Sequence, residues 1–65
     1  MDVVINGERR HITGGTLLEV LEELALDPRA VVVEHNRKIV RRAGLGGVKI
    51  NEGDSLELVH FVGGG

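Results

Sequence analysis

Residues 16–26 read Thr16-Leu17-Leu18-Glu19-Val20-Leu21-Glu22-Glu23-Leu24-Ala25-Leu26. Leucines recur here at helical spacing. Leu17, Leu18, Leu21 and Leu24 fall on one broad face, with Val20 and Ala25 flanking it. Glu19, Glu22 and Glu23 fall on the other face. Thr16 and Glu19 stand at the N-cap and N3 positions of a capping box, which starts the helix. Asp27-Pro28 ends it near Leu26, because the residue before proline is pushed out of the α region. A single amphipathic helix needs an apolar layer to lie on, and the flanking sequence must supply it.

The flanks read as strands. Asp2 to Asn6 places Val3 and Ile5 on one face and Val4 on the other. Asn6-Gly7 signals a type I′ hairpin, since both central positions need φ > 0. Glu8 to Thr13 returns as a mostly polar strand with Ile12 as its core residue, a composition suited to a sheet edge. Beyond the helix, Ala30 to Glu34 is apolar and β-branched, which suits a strand inside the sheet. His35-Asn36-Arg37 reads as a turn. Lys38 to Arg41 reads as a short extended piece with Ile39 or Val40 facing in. Arg42 to Gly47 is a glycine-rich loop with room for one helical turn. Val48 to Ile50 reads as a short strand, Asn51 to Asp54 as a turn, and Ser55 to Val62 as the last strand.

Hairpin, helix, strand, short strand and last strand make an α+β chain: a mixed sheet with one helix across one face. The stretch from the hairpin to Val31 is long enough for a helical crossover. This is the order of a β-grasp, ubiquitin-like domain, whose last strand lies inside the sheet. The reading is one domain over residues 1–62, followed by a flexible Gly-Gly-Gly tail at 63–65.

A chain of 65 residues buries only ~60% of the surface its unfolded form exposes. With no cysteine, neither disulfides nor thiolate metal sites can assist. The core must be dense in aliphatics, and Phe61 is the sole aromatic. No basic-then-apolar leader opens the chain, and no apolar run approaches the ~20 residues that span a bilayer. The expectation is a soluble, cytoplasmic protein without membrane contact. A formal charge of −2 offers nothing general to nucleic acid.

The ending Val59-His60-Phe61-Val62-Gly63-Gly64-Gly65 carries the chemistry. A carboxylate on bare glycine can thread a narrow channel because no side chain blocks it. Small residues also collect at chain ends that do nothing, so tail composition alone leaves both readings open. The longer pattern is more specific. The opening strand with Asn6-Gly7, the helix of residues 16–26, Val31-Val32-Val33-Glu34-His35-Asn36, Gly53-Asp54 and the His-Phe-Val-Gly-Gly-Gly ending resemble the sulfur carriers of thiamine biosynthesis, the ThiS family. A C-terminal Gly-Gly alone is shared with ubiquitin-like modifiers and the molybdopterin-synthase small subunit.

That resemblance implies a mechanism. A ThiF-type adenylating enzyme uses ATP to activate the Gly65 carboxylate. Sulfur from a persulfide donor displaces AMP and leaves a thiocarboxylate, which a ThiG-type thiazole synthase consumes. Gly63 and Gly64 would thread into the partner. The chain would be no enzyme and would bind no cofactor itself. Rival readings are a molybdopterin-pathway carrier, a ubiquitin-like protein modifier and an interaction module with an inert tail.

Alternation along the last strand divides its labour. Leu56 and Leu58 face the helix, and Glu57, Val59 and Phe61 face away. Val59 and Phe61, continued by Val62, are the expected partner-docking residues; the alternative for Phe61 is packing at the rim of the domain. From Val62 the tail reaches ~13 Å at ~3.3 Å per residue.

Other signals are weaker. Gly44-Leu45-Gly46-Gly47 lacks the strand-before, helix-after setting of a phosphate loop. Arg37, Lys38, Arg41 and Arg42 read as a solvated basic surface. His11, His35 and His60 lack metal-ligand spacing, and His60 reads as a partly buried structural group.

Overall fold

A computed structural model describes residues 1–61. Five strands, β1 (Asp2–Ile5), β2 (Glu8–His11), β3 (Val31–His35), β4 (Lys38–Val40) and β5 (Ser55–His60), form one sheet in the order β2-β1-β5-β3-β4. One helix, α1 (Leu17–Glu23), crosses its inner face. β1 and β5 run parallel, and the other neighbours are antiparallel. The α+β, β-grasp expectation therefore holds, with β5 at the centre and polar β2 at an edge.

Local sequence explains each turn. Asn6 and Gly7 sit at φ 51° and 83°, as a two-residue hairpin turn demands. Asn36 and Arg37 repeat this geometry between β3 and β4, at φ 49° and 71°. The capping box forms as expected. Thr16 Oγ1 accepts from the Glu19 amide at 3.2 Å, and Glu19 Oε1 accepts from the Thr16 amide at 2.9 Å.

The end of α1 differs from the sequence expectation. Regular helix stops at Glu23, and Leu24 is its C-cap. Ala25 adopts φ 60°, Leu26 N–H donates to Leu21 O at 2.9 Å, and Ala25 N–H donates to Glu22 O at 3.0 Å. These two reversed bonds are a Schellman closure, so the chain turns away before proline acts. Asp27 instead caps a 3₁₀ turn at Pro28–Ala30, accepting from the Arg29 amide at 2.9 Å. The apolar face of the helix is also rotated. Leu17, Val20 and Leu21 are buried, while Leu18 and Leu24 are only half-buried.

The core gathers Val3, Ile5, Ile12, Val31, Val33 and Leu56 from the strands and strand ends, and Leu45 and Ile50 from the connections. Val40, not Ile39, is the residue of β4 packed against it. Leu45 comes from a 3₁₀ turn at Arg42–Gly47, laid against α1. Val48 to Ile50 is not a sheet strand. Its backbone pairs with the entrance to the helix: Leu17 N–H donates to Val48 O and Ile50 N–H to Gly15 O, each at 2.9 Å. Among the described residues no helix is long and apolar enough to cross a membrane.

Candidate functional site

β5 is held along both sides. Toward β1, Val4 N–H donates to Asp54 O and Asn6 N–H to Leu56 O, each at 2.9 Å. β1 stops there, and the Asn6 side chain extends the pairing. Its Oδ1 accepts from Leu58 N–H at 2.8 Å, and its Nδ2 donates to Leu58 O at 3.2 Å. Toward β3, five residue pairs run from His35 opposite Leu56 to Val31 opposite His60. Phe61 N–H continues the ladder onto Ala30 O at 2.8 Å.

The pleat of this strand divides its side chains. Leu56 is buried and Leu58 half-buried beneath α1. Val59 and Phe61 lie on the opposite, outer face, each 58% exposed. The register adds neighbours that the last strand alone did not reveal. Val32 stands opposite Val59, Glu34 opposite Glu57, and Ile39 opposite Glu34. Ile39 is 68% exposed, so three large apolar side chains face outward on one side of the sheet.

A second cluster fixes where β5 begins. Asp54 is buried, an unusual fate for a carboxylate unless it is well bonded. Its oxygens lie 2.7 Å from His35 Nε2 and accept from Asn51 N–H at 2.8 Å and Asn36 Nδ2 at 3.2 Å. Burial alone would raise its pKa. The hydrogen bonds from His35, the Asn51 amide and Asn36, with the His35 charge, together outweigh burial and hold it below the ordinary value. Asn36 also exchanges bonds with Ser55: its Oδ1 accepts from Ser55 N–H at 2.9 Å, and its own N–H donates to Ser55 O at 2.8 Å. The β3–β4 turn is thereby tied to the first residue of β5.

The remaining candidates sort simply. His60, expected to be partly buried, is exposed. His60 is the last residue of β5, and α1 has already ended at Glu23. With Arg10, Leu24, Leu26 and Leu58, His60 lines an open groove of about 280 Å³ on the inner face. Arg37, Lys38, Arg41 and Arg42 are all exposed. Among the described residues no three His, Asp or Glu side chains gather into a metal-binding group. Val62, Gly63, Gly64 and Gly65 lie outside the described residues, as does the division between domain and tail.

Residues 3–65 match the family model described as the ThiS family. The chain belongs to the ThiS family. The sulfur carrier protein ThiS of Bacillus subtilis is 37% identical over 51 residues, spanning 78% of this chain and 77% of that one. The crystal structure of the thiamine biosynthesis protein ThiS of Geobacter metallireducens superimposes with a TM-score of 0.85 at 26% identity, covering all of both chains. A thiazole synthase of Paramagnetospirillum magneticum is 46% identical across the whole of this chain. The chain spans only 20% of that relative's length. The ThiS match runs from Val3 through Gly65 and so includes the terminal glycines.

Proposed function

We propose that this chain is a sulfur carrier of thiamine biosynthesis whose Gly65 acyl group receives, holds and gives up sulfur. The family match over residues 3–65 carries the reading, because it joins the β-grasp body to the glycine ending. The proposal requires a free carboxylate on Gly65 in the active form.

A carboxylate is a poor electrophile and needs a leaving group. A ThiF-type enzyme would supply one by joining a Gly65 oxygen to the α-phosphate of ATP, with pyrophosphate departing. The terminal sulfur of a persulfide then attacks the acyl carbon and AMP leaves. Thiol reduction of the resulting S–S bond frees the thiocarboxylate. A ThiG-type thiazole synthase takes that sulfur. ATP binding and catalysis belong to the partners in this scheme. The chain contributes an acyl end and a surface, and having no cysteine it cannot attack its own activated terminus.

Val59, Phe61 and Val62 are the proposed docking residues. They directly precede the threading glycines, Gly63 and Gly64. The exposure of Val59 and Phe61 supports this, since aromatic and aliphatic anchors dominate interface energetics. Ordering each tail residue costs ~1–2 kcal/mol, so the sheet face must supply most of the affinity.

Intact-mass analysis tests the reading. The chain is incubated with the adenylating enzyme, ATP, a persulfide donor and a thiol reductant. Replacement of one oxygen by sulfur at Gly65 is expected, and it should vanish when Gly64 and Gly65 are deleted. An unchanged mass with every component present overturns it.

A further inference from the structure

We infer that the outer face of the sheet recognises a partner surface with an apolar centre and a cationic group beside it, and that Glu34 and Glu57 select the cation. The partner we assign is thiazole synthase, an identity that rests on the sulfur-carrier reading. The chemistry of the face rests on geometry alone.

Glu34 and Glu57 are directly opposed across β3 and β5 on the outer face. Like charges so placed destabilise a sheet. Neither makes an ion pair among the described residues, where the pairs are His11–Asp2, Arg29–Asp27 and His35–Asp54. An exposed carboxylate, Glu57, and a half-buried one, Glu34, thus share one spot on the outer face with no ion-pair partner among the described residues. A planar guanidinium from outside could bond both, in the geometry Arg favours with carboxylates.

Their surroundings show that the spot belongs to a larger surface. Along the outer ridge of β5, Glu57 is followed by Val59 and then Phe61. Across the sheet, Ile39 stands beyond Glu34. Alternate residues on a strand are ~7 Å apart, so a docked cation would lie about that far from the Val59 contact, and twice as far from Phe61. The order is anionic, apolar, aromatic, then the glycine segment. A partner that reads this order binds in one orientation, with Phe61 on the far side of Val59 from its cation. Apolar contacts alone would not fix that direction, whereas charge complementarity fixes register and raises the association rate.

Thiazole synthase is favoured as occupant because likeness to this chain extends over its whole length inside a curated thiazole synthase. There, carrier-like sequence and synthase share one polypeptide. A surface matched to a tethered neighbour can depend on orientation more than on tightness.

The test measures association of the full chain with the cognate thiazole synthase at low and high salt. Wild type is compared with Glu34→Gln/Glu57→Gln and Glu34→Lys/Glu57→Lys. Removing the carboxylates relieves a like-charge contact, so the neutral variant should melt no lower than wild type; the reversed pair keeps two like charges opposed and should melt close to wild type. The neutral pair should associate about tenfold more slowly at low salt and lose most of its salt dependence; the reversed pair should be slower still. Equal rates and equal salt dependence in all three proteins, with wild type still binding and transferring sulfur, overturn this inference alone. Absence of both binding and sulfur uptake by wild type overturns the carrier reading together with it. Concentration-dependent dimerisation of the free chain that Phe61→Asp abolishes would assign the face to a second copy, and would likewise overturn the inference.

Discussion

His35 Nε2 lies 2.7 Å from Asp54 Oδ2, joining the end of β3 to the residue before β5. The pair sits at the foot of the strand whose other end carries Phe61. It sets where the central strand starts and therefore which of its side chains face outward.

Asp54 should give the domain an acid limit. Its folded pKa is depressed below the ordinary 3.8, so the native state binds its proton less readily than the unfolded chain does. The resulting stability is fully present above the unfolded value and is lost as pH falls through the lower, folded one. Asp54→Asn should cost about 1–3 kcal/mol near neutral pH, the range for a disrupted buried hydrogen-bond group. It should also flatten the acid limb of stability against pH. Denaturant titrations of both proteins across that range check this.

Two turns are occupied by residues poorly suited to them. Ala25 and Arg37 hold φ 60° and 71°, where a Cβ crowds the backbone. Ala25→Gly and Arg37→Gly should each stabilise by about 1 kcal/mol, because relief of left-handed strain exceeds the entropic cost of glycine. Thermal melts of the single and double variants would show additive increases, since the sites lie on separate turns.

The start of α1 should be the opposite case. Thr16→Ala removes the acceptor for the Glu19 amide and should destabilise by about 1 kcal/mol. Chemical denaturation measures the loss, and Thr16→Ser should recover most of it.

Outer-face and inner-face substitutions on β5 should separate binding from folding. Leu56→Ala creates a cavity under α1 and should cost about 2–5 kcal/mol, enough to unfold much of so small a domain. Phe61→Ala and Val59→Ala should change stability by about 0.5 kcal/mol or less, as expected for exposed side chains. They should nevertheless weaken capture by thiazole synthase. Melting curves beside binding isotherms distinguish the two classes.

The parts of this fold that sequence reveals are those with a local chemical signature. Asn6-Gly7 specifies its turn, Thr16 and Glu19 specify the helix start, and alternation from Leu56 to Phe61 specifies the two faces of β5. Ala25 hides the helix end, because glycine is the usual mark of a left-handed cap. Val48 to Ile50 has strand composition but is bonded to the helix entrance, a tertiary choice that no local pattern records. Leu45 looked like part of a glycine-rich loop and proved to be core, since a 3₁₀ turn points it inward. Asp54 follows Gly53 in what reads as a solvent-exposed turn. Its burial depends on His35 and Asn36, which are distant in sequence.

The same limit applies to the candidate site. Val59 and Phe61 could be placed outward from one strand's periodicity. Ile39, Glu34 and the opposition of Glu34 to Glu57 required strand register, which only the assembled sheet supplies.

The central position of β5 has a mechanical consequence. A load applied at Phe61 along the strand axis would be borne in shear by the backbone ladder to β3 and by the Asn6 amide on the other side. Many bonds must then yield together instead of peeling one by one. A machine gripping this end could tug hard and still leave the body intact.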